Sequence, residues 1–432
     1  MARTASLCLL AATPWLARVA VADYAAIAGY IPASDVIAHS LLDLDMKEID
    51  EEAGLETEAG FAAAFTRYDE GLNSEKTEEL RTIRGFSTSA QEKLASEKWF
   101  KVYSAYWGAE DYADQFTTSA CKGTGVFEGA ANVTRKEGCV KGAQYQNVWM
   151  YVIHELEDAI GDCEAGDLDA NDGGPHAWDE GWAFYAGSEE GTDGSGDGFM
   201  LHALADKRCA NFGTCTGDDD GVDYSGFSAI NAEALALFQE GQALLLSGDC
   251  SGTEDIKDKI VDLMTVPLVQ GLLRYLYLAD PDGQDGGGDK EAAELWAFAA
   301  AVLPRIDACD EDVAVTIRAN TELGSPNAPS SEGYVLLKEK VQSVYSCLGI
   351  SCAQVGGLRN GLSDLYVEGF EPCGDGDDGL KGVEVAGIVI GVVALLAIVG
   401  GVLMCKRRNK NKTAQAMSSD LGGFGNKATG TL

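Results

Sequence analysis

The chain has 432 residues, with 69 Asp and Glu against 32 Lys and Arg, a formal net charge of −37 at pH 7. Setting aside two basic residues in the N-terminal leader, and six basic and one acidic in the C-terminal tail, leaves 24 basic against 68 acidic residues, or −44. Such a surface excludes nucleic acid and anionic lipid headgroups as partners and attracts cations, although diffuse acidity reads first as a solvated coat.

In chain order, residues 1–22 carry Arg3, an apolar run from Ala5 to Leu16 and Ala20-Val21-Ala22 before Asp23, the pattern of a secretory signal peptide. Residues 23–355 are long enough for one large domain or two closely packed ones. Apolar residues recur at three- and four-residue spacing over 61–68, 148–160, 177–186, 199–208, 230–246, 255–278, 291–303 and 335–347. Gly/Asp-rich loops separate them, so the expected fold is all-α, a disulfide-stapled helical-bundle ectodomain. A stalk is expected over 356–382. Val385 to Cys405 then gives 21 uncharged residues, about 31 Å of helix. Lys406-Arg407-Arg408 follow, which places the tail 406–432 in the cytoplasm and makes the chain a type I single-pass plasma-membrane protein. Gly387-x-x-x-Gly391 offers a homodimer face within the span.

Twelve cysteines divide the same way. Cys8 leaves with the leader and Cys405 sits at the inner membrane face, open to palmitoylation. The ten that remain favour five disulfides in an oxidising compartment. Asn132-Val133-Thr134 is a glycosylation sequon on the outer side.

Of four histidines, two head the same pattern, His154-Glu155-Leu156-Glu157-Asp158 and His176-Ala177-Trp178-Asp179-Glu180. Residues three and four apart share a helix face, so each segment can aim an imidazole and two carboxylates at one point. Two helices joined by a short loop tend to pack antiparallel, which would let His154, Glu157, Asp158, His176, Asp179 and Glu180 converge. Mixed N/O ligands suit a cation such as iron. Tyr68 and Tyr185 are further hard-oxygen donors. The motif does not complete H-E-x-x-H, because Asp158 takes the second histidine's place, and the order is reversed from Glu-x-x-His di-iron sites. Two EF-hand-like loops, from Asp169 and from Asp280, each lack a required position.

The helical array reads as duplicated, with pseudo-repeats at about 35–226 and 227–355. Glu180-Gly-Trp182-Ala-Phe184 recurs as Glu294-Leu-Trp296-Ala-Phe298, and Tyr68-Asp-Glu70-Gly71 as Phe238-Gln-Glu240-Gly241. The aromatic positions persist, as core would, while the polar ones change: His154 becomes Arg274 and His176 becomes Lys290.

These segments resemble the low-iron-inducible, iron-assimilating periplasmic proteins of green algae and the related phytotransferrins of marine algae. The resemblance rests on Tyr68–Gly71, on Val152–Gly161, on Gly174–Gly187 (GPHAWDEGWAFYAG) and on Ala205–Cys215, and covers most of 35–355. It implies a non-enzymatic surface protein that binds Fe(III) for uptake, coupled in the phytotransferrin branch to carbonate and to endocytosis with cycling through endosomes. Arg274 and Lys290 would hold the carbonate if the halves face each other. The rival readings are a metal-dependent surface enzyme, ferroxidase or hydrolase-like, and a calcium-binding adhesion ectodomain.

Overall fold

Capping side chains and glycines mark out the helices. Thr57, Ser228, Asp249 and Asp310 each accept a backbone N–H of the first turn that follows. Gly166, Gly213 and Gly248 end helices in the left-handed region. The principal helices are α1 (Ile37–Ser40), α2 (Leu42–Ala53), α3 (Glu58–Glu70), α4 (Lys98–Trp107), α5 (Tyr112–Lys122) and α6 (Asn132–Gly142). They continue as α7 (Trp149–Ala165), α8 (Gly174–Ala186), α9 (Leu201–Phe212), α10 (Ala229–Ser247), α11 (Cys250–Leu278), α12 (Asp289–Cys309) and α13 (Glu311–Thr321). A π-helical turn over 143–148 carries α6 into α7.

The computed structural model describes residues 24–374, apart from 78, 90, 217–226, 282–286 and 362–364. The all-α expectation holds over these residues; the strands among them form two short ribbons, Glu75–Lys76 with Glu79–Leu80 and Cys215–Thr216 with Phe227–Ser228. The expected leader, the span 385–405 with its glycine face and the tail lie outside the described residues, among which no helix is long and apolar enough to cross a membrane. Within the expected stalk, Gly357 and Arg359 donate to Phe212 and Asn211 at the end of α9, so this part is tied to the helical body.

Helices α7 and α8 fold back on each other across the loop 166–173, and α11 and α12 also pack together. Trp182, Phe184, Trp296 and Phe298 are all buried, as their persistence in both halves requires of core residues. Two glycines let aromatic rings lie against helix backbone. A Cβ on Gly241 would come within 2.0 Å of Trp178, and one on Gly271 within 2.3 Å of Phe298.

All ten described cysteines pair, as 121–139, 163–250, 209–215, 309–347 and 352–373. Cys163–Cys250 joins the end of α7 to the start of α11 across 87 residues. Closing so long a loop removes unfolded-chain entropy worth about 4–5 kcal/mol. The double variant Cys163→Ser/Cys250→Ser should therefore unfold at clearly lower denaturant than the parent, whereas opening the six-residue Cys209–Cys215 loop should cost less.

Candidate metal centre

Helix α8 places His176 and Glu180 one turn apart on the same face. His176 Nε2 lies 2.9 Å from Glu180 Oε1, and His39 Nε2, from α1, lies 2.7 Å from the same oxygen. One ligand atom from each of the three residues falls within a 4.8 Å cluster. His39 is 5% exposed, while His176 and Glu180 are half-buried, so the cluster has a closed floor and an open rim.

A chain of hydrogen bonds fixes the orientation of His176. Its Nδ1 lies 2.9 Å from Ser34 Oγ, and the Ser34 hydroxyl donates to Asp179 Oδ2 at 2.8 Å. Ser34 then accepts from Nδ1–H, which holds the ring with Nε2 facing Glu180. Asp179 also accepts from the backbone of Ala33 and Ser34, from Tyr30 Oη and from Gln242. With both oxygens engaged, this buried carboxylate fixes Ser34 and, through it, the His176 ring.

Helix α7 contributes Glu155 and, one turn earlier, Tyr151. Burial pushes the Glu155 carboxyl well up; the charge of Glu180 and a hydrogen bond to it add to the rise and favour the uncharged form. The Tyr151 phenol is also pushed up, by burial first and then by Glu155 and Glu180, and it hydrogen-bonds to Glu155. For Glu180 itself burial acts upward, but hydrogen bonds from His176 and His39 outweigh it and hold the carboxyl below the usual range. Burial lowers His39, while the bond to Glu180 raises His176 despite burial. Arg81, just after the first ribbon, brings its guanidinium against His39 Nε2 and donates to the Glu75 carbonyl at 2.5 Å.

The other residues singled out in the sequence lie elsewhere. His154 is buried, with Nδ1 2.6 Å from Glu97 Oε1. Glu157 pairs with Lys257 of α11 at 2.8 Å, and Asp158 faces solvent. The Tyr68 hydroxyl sits 3.2 Å from Asp114 and 3.3 Å from Asn147, and Tyr185 donates to Asn231 Oδ1 at 2.6 Å. Arg274 stacks over Tyr275 and Lys290 is exposed at the start of α12. Of the doubled pattern, His176 and Glu180 come together. Their partners are His39, which no local motif marks, and Glu155, the acid beside His154.

Two imidazoles and one carboxylate with open positions form the ligand type that suits non-haem iron. Glu155→Gln copies the uncharged form of the carboxyl that burial favours. The iron-free variant should stay within about 1 kcal/mol of the parent at pH 7 in denaturant unfolding. A carboxyl raised on folding contributes stability below its unfolded pKa and loses it as pH rises through the folded pKa. The glutamine variant should therefore gain on the parent as pH rises. A metal cation held at this cluster should nevertheless bind about 10- to 100-fold more weakly to the variant, because no second carboxylate can form.

The family model described as low iron-inducible periplasmic protein (Fea1) matches residues 5–255, more than half of the chain and the whole of the cluster above. No curated protein and no solved structure matches.

Proposed function

The chain belongs to the low iron-inducible periplasmic protein family, and from that premise we propose that His39, His176 and Glu180, backed by Glu155, are the site at which it takes up ferric iron outside the cell. The observation that carries the reading is the meeting of two imidazole nitrogens and a carboxylate oxygen at a half-open cluster, in a family tied to iron assimilation. Fe(III) is a hard cation. It would draw Glu155 into the ligand set by displacing the carboxyl proton, giving N2O2 coordination with positions left open.

A bidentate anion such as carbonate fills open positions when a cation holds it. Arg81 is the guanidinium beside the ligand set, which favours it over Arg274 and Lys290 for that role. Fe(III) titration with and without bicarbonate tests the choice. Arg81→Ala should lose at least about tenfold of the bicarbonate enhancement, the cost of a charge-assisted contact. Arg274→Ala should keep it; the opposite pattern would return the anion to α11. The apolar span at 385–405 and the cytoplasmic tail would anchor the protein at the surface, and internalisation would deliver the loaded form to an acidic compartment.

A binding protein needs no turnover, and iron is here cargo. A second reading stems from the same ligand set, since two histidines and a carboxylate with open positions also support Fe(II) oxidation. Oxygen consumption on adding excess Fe(II) separates the two: sustained turnover indicates a ferroxidase, a single stoichiometric load indicates a carrier.

A further inference from the structure

Beyond α8 the chain builds a second cluster that iron uptake at His39 and Glu180 does not use. Glu190, in the loop after α8, is 1% exposed, as is His202 on α9. His202 Nδ1 lies 3.4 Å from Glu190 Oε1 and 3.4 Å from Asp206 Oδ2, one turn along α9. Both Glu190 oxygens and His202 Nδ1 are buried without a hydrogen-bond partner. A buried carboxylate with no donor on either oxygen is strongly unfavourable unless a cation compensates it.

The surroundings aim these groups at one another. Asp206 Oδ1 accepts from the Ser228 backbone at 2.7 Å and from Asn231 Nδ2 at 2.8 Å, which leaves Oδ2 turned to His202. Asn231 also donates to the His202 carbonyl at 2.9 Å and accepts from Tyr185. The Cys209–Cys215 disulfide and the ribbon it begins hold Ser228 in place. Gly198 makes room for the carboxylate, because a Cβ there would lie 2.3 Å from Glu190 Oε1. Trp182, Tyr185 and Phe227 surround the His202 ring and keep water away.

We propose that Glu190, His202 and Asp206 form a second metal site, which takes a divalent first-row transition-metal ion and locks the loop after α8 onto α9. The 3.4 Å spacing is too long for the usual N–H···O bond. It matches the ligand–ligand edge of a tetrahedron built on metal–ligand distances of about 2.0–2.1 Å. One imidazole between two carboxylates leaves a net negative charge even when protonated, and a divalent ion removes it. The oriented Asp206 and its Asn231–Tyr185 support are the outer-shell arrangement that such ligands require.

The test is equilibrium dialysis of the full-length chain in detergent against Zn(II), after chelator stripping, with metal counted per chain. Glu180→Gln, which disables the first cluster, should still retain one tightly bound Zn(II). Adding Glu190→Gln, or Asp206→Asn, should weaken that ion by at least about 100-fold. Asp206→Asn keeps the Oδ1 acceptor for Ser228 and Asn231, so one variant preserves the local hydrogen bonds, and near-ultraviolet circular dichroism checks that both are folded. Zn(II) binding unaffected by either added substitution, or absent from Glu180→Gln itself, would overturn the site. That failure leaves the ferric reading untouched, because the ferric site is read with Fe(III) in protein that retains Glu180.

Discussion

Glu180→Gln should lower Fe(III) affinity by at least about 100-fold, more than any other single substitution at the cluster. Glu180 Oε1 is the atom both histidines face, at 2.7 and 2.9 Å, so it anchors the ligand set. The amide keeps the shape but removes the charge and can turn an N–H toward the ion. His39→Ala should follow in the same direction, by about 10- to 100-fold, because it deletes the imidazole that closes the floor. His154→Ala should behave differently. It leaves Glu97 buried without its partner, so the chain should lose about 1–3 kcal/mol of stability. Its Fe(III) affinity, once folded, should stay within about threefold of the parent, because His154 meets Glu97 and not the cluster. Competition against a chelator, with melting curves alongside, separates the two effects. A larger affinity loss in His154→Ala than in Glu180→Gln would return the centre to α7 and sink the assignment.

Only part of this proposed site is legible in the sequence. Helices with strong apolar periodicity, the back-folding of α7 on α8 and the pairing of all ten described cysteines follow from local pattern and composition. The choice between His154 and Glu155 does not. Neighbouring helical residues point about 100° apart, so one segment can offer its histidine or its next acid to a given partner, but not both. Here Tyr151 and Glu155 take the face toward α8, and His154 turns to Glu97. His39 was invisible for another reason: Ala38-His39-Ser40 carries no ligand pattern, and only folding brings a residue 141 positions away to Glu180. The proposed duplication gains a physical detail in return. In the register that aligns His154 with Arg274 and Glu180 with Glu294, Tyr275 stands for Glu155. Lys141 Nζ, on α6 of the first half, then lies 3.4 Å from Glu294 and against Glu137, so the counterpart of Glu180 has an ammonium beside its carboxylate. Burial opposes the charge on Lys141, but Glu294 and Glu137 outweigh it and keep the amine cationic. A carboxylate already neutralised by a lysine has little call for a metal ion, which fits the change of ligand types between the two copies of the pattern.

Iron should leave this cluster as pH falls from 7.5 to 5.5, with apparent affinity dropping by at least about 100-fold, on the order of one proton per unit of pH. Fe(III) needs neutral imidazoles and ionised carboxylates, so each group that must lose a proton to bind makes affinity rise with pH. Burial first, and then Glu180, push the Glu155 carboxyl up, so its entry into the proposed ligand set would release a proton. His176 is raised, so it begins to charge above its ordinary value near 6.5 and competes with iron first. His39 is lowered by burial, so its proton adds to the slope only further into acid. The iron-free state responds in the same sense at His176: a histidine raised on folding contributes stability that is fully present below the unfolded pKa and lost as pH rises through the folded one. Acid therefore steadies the empty form at His176 while it weakens the loaded one. His39 has the opposite effect on the empty form and limits how far that steadying goes. Chelator competition at stepped pH reads the slope directly. In His176→Gln the drop between 7.5 and 6.5 should shrink, because the first competing proton has no place to bind. A flat affinity across that range in the parent would mean that these imidazoles do not hold the iron.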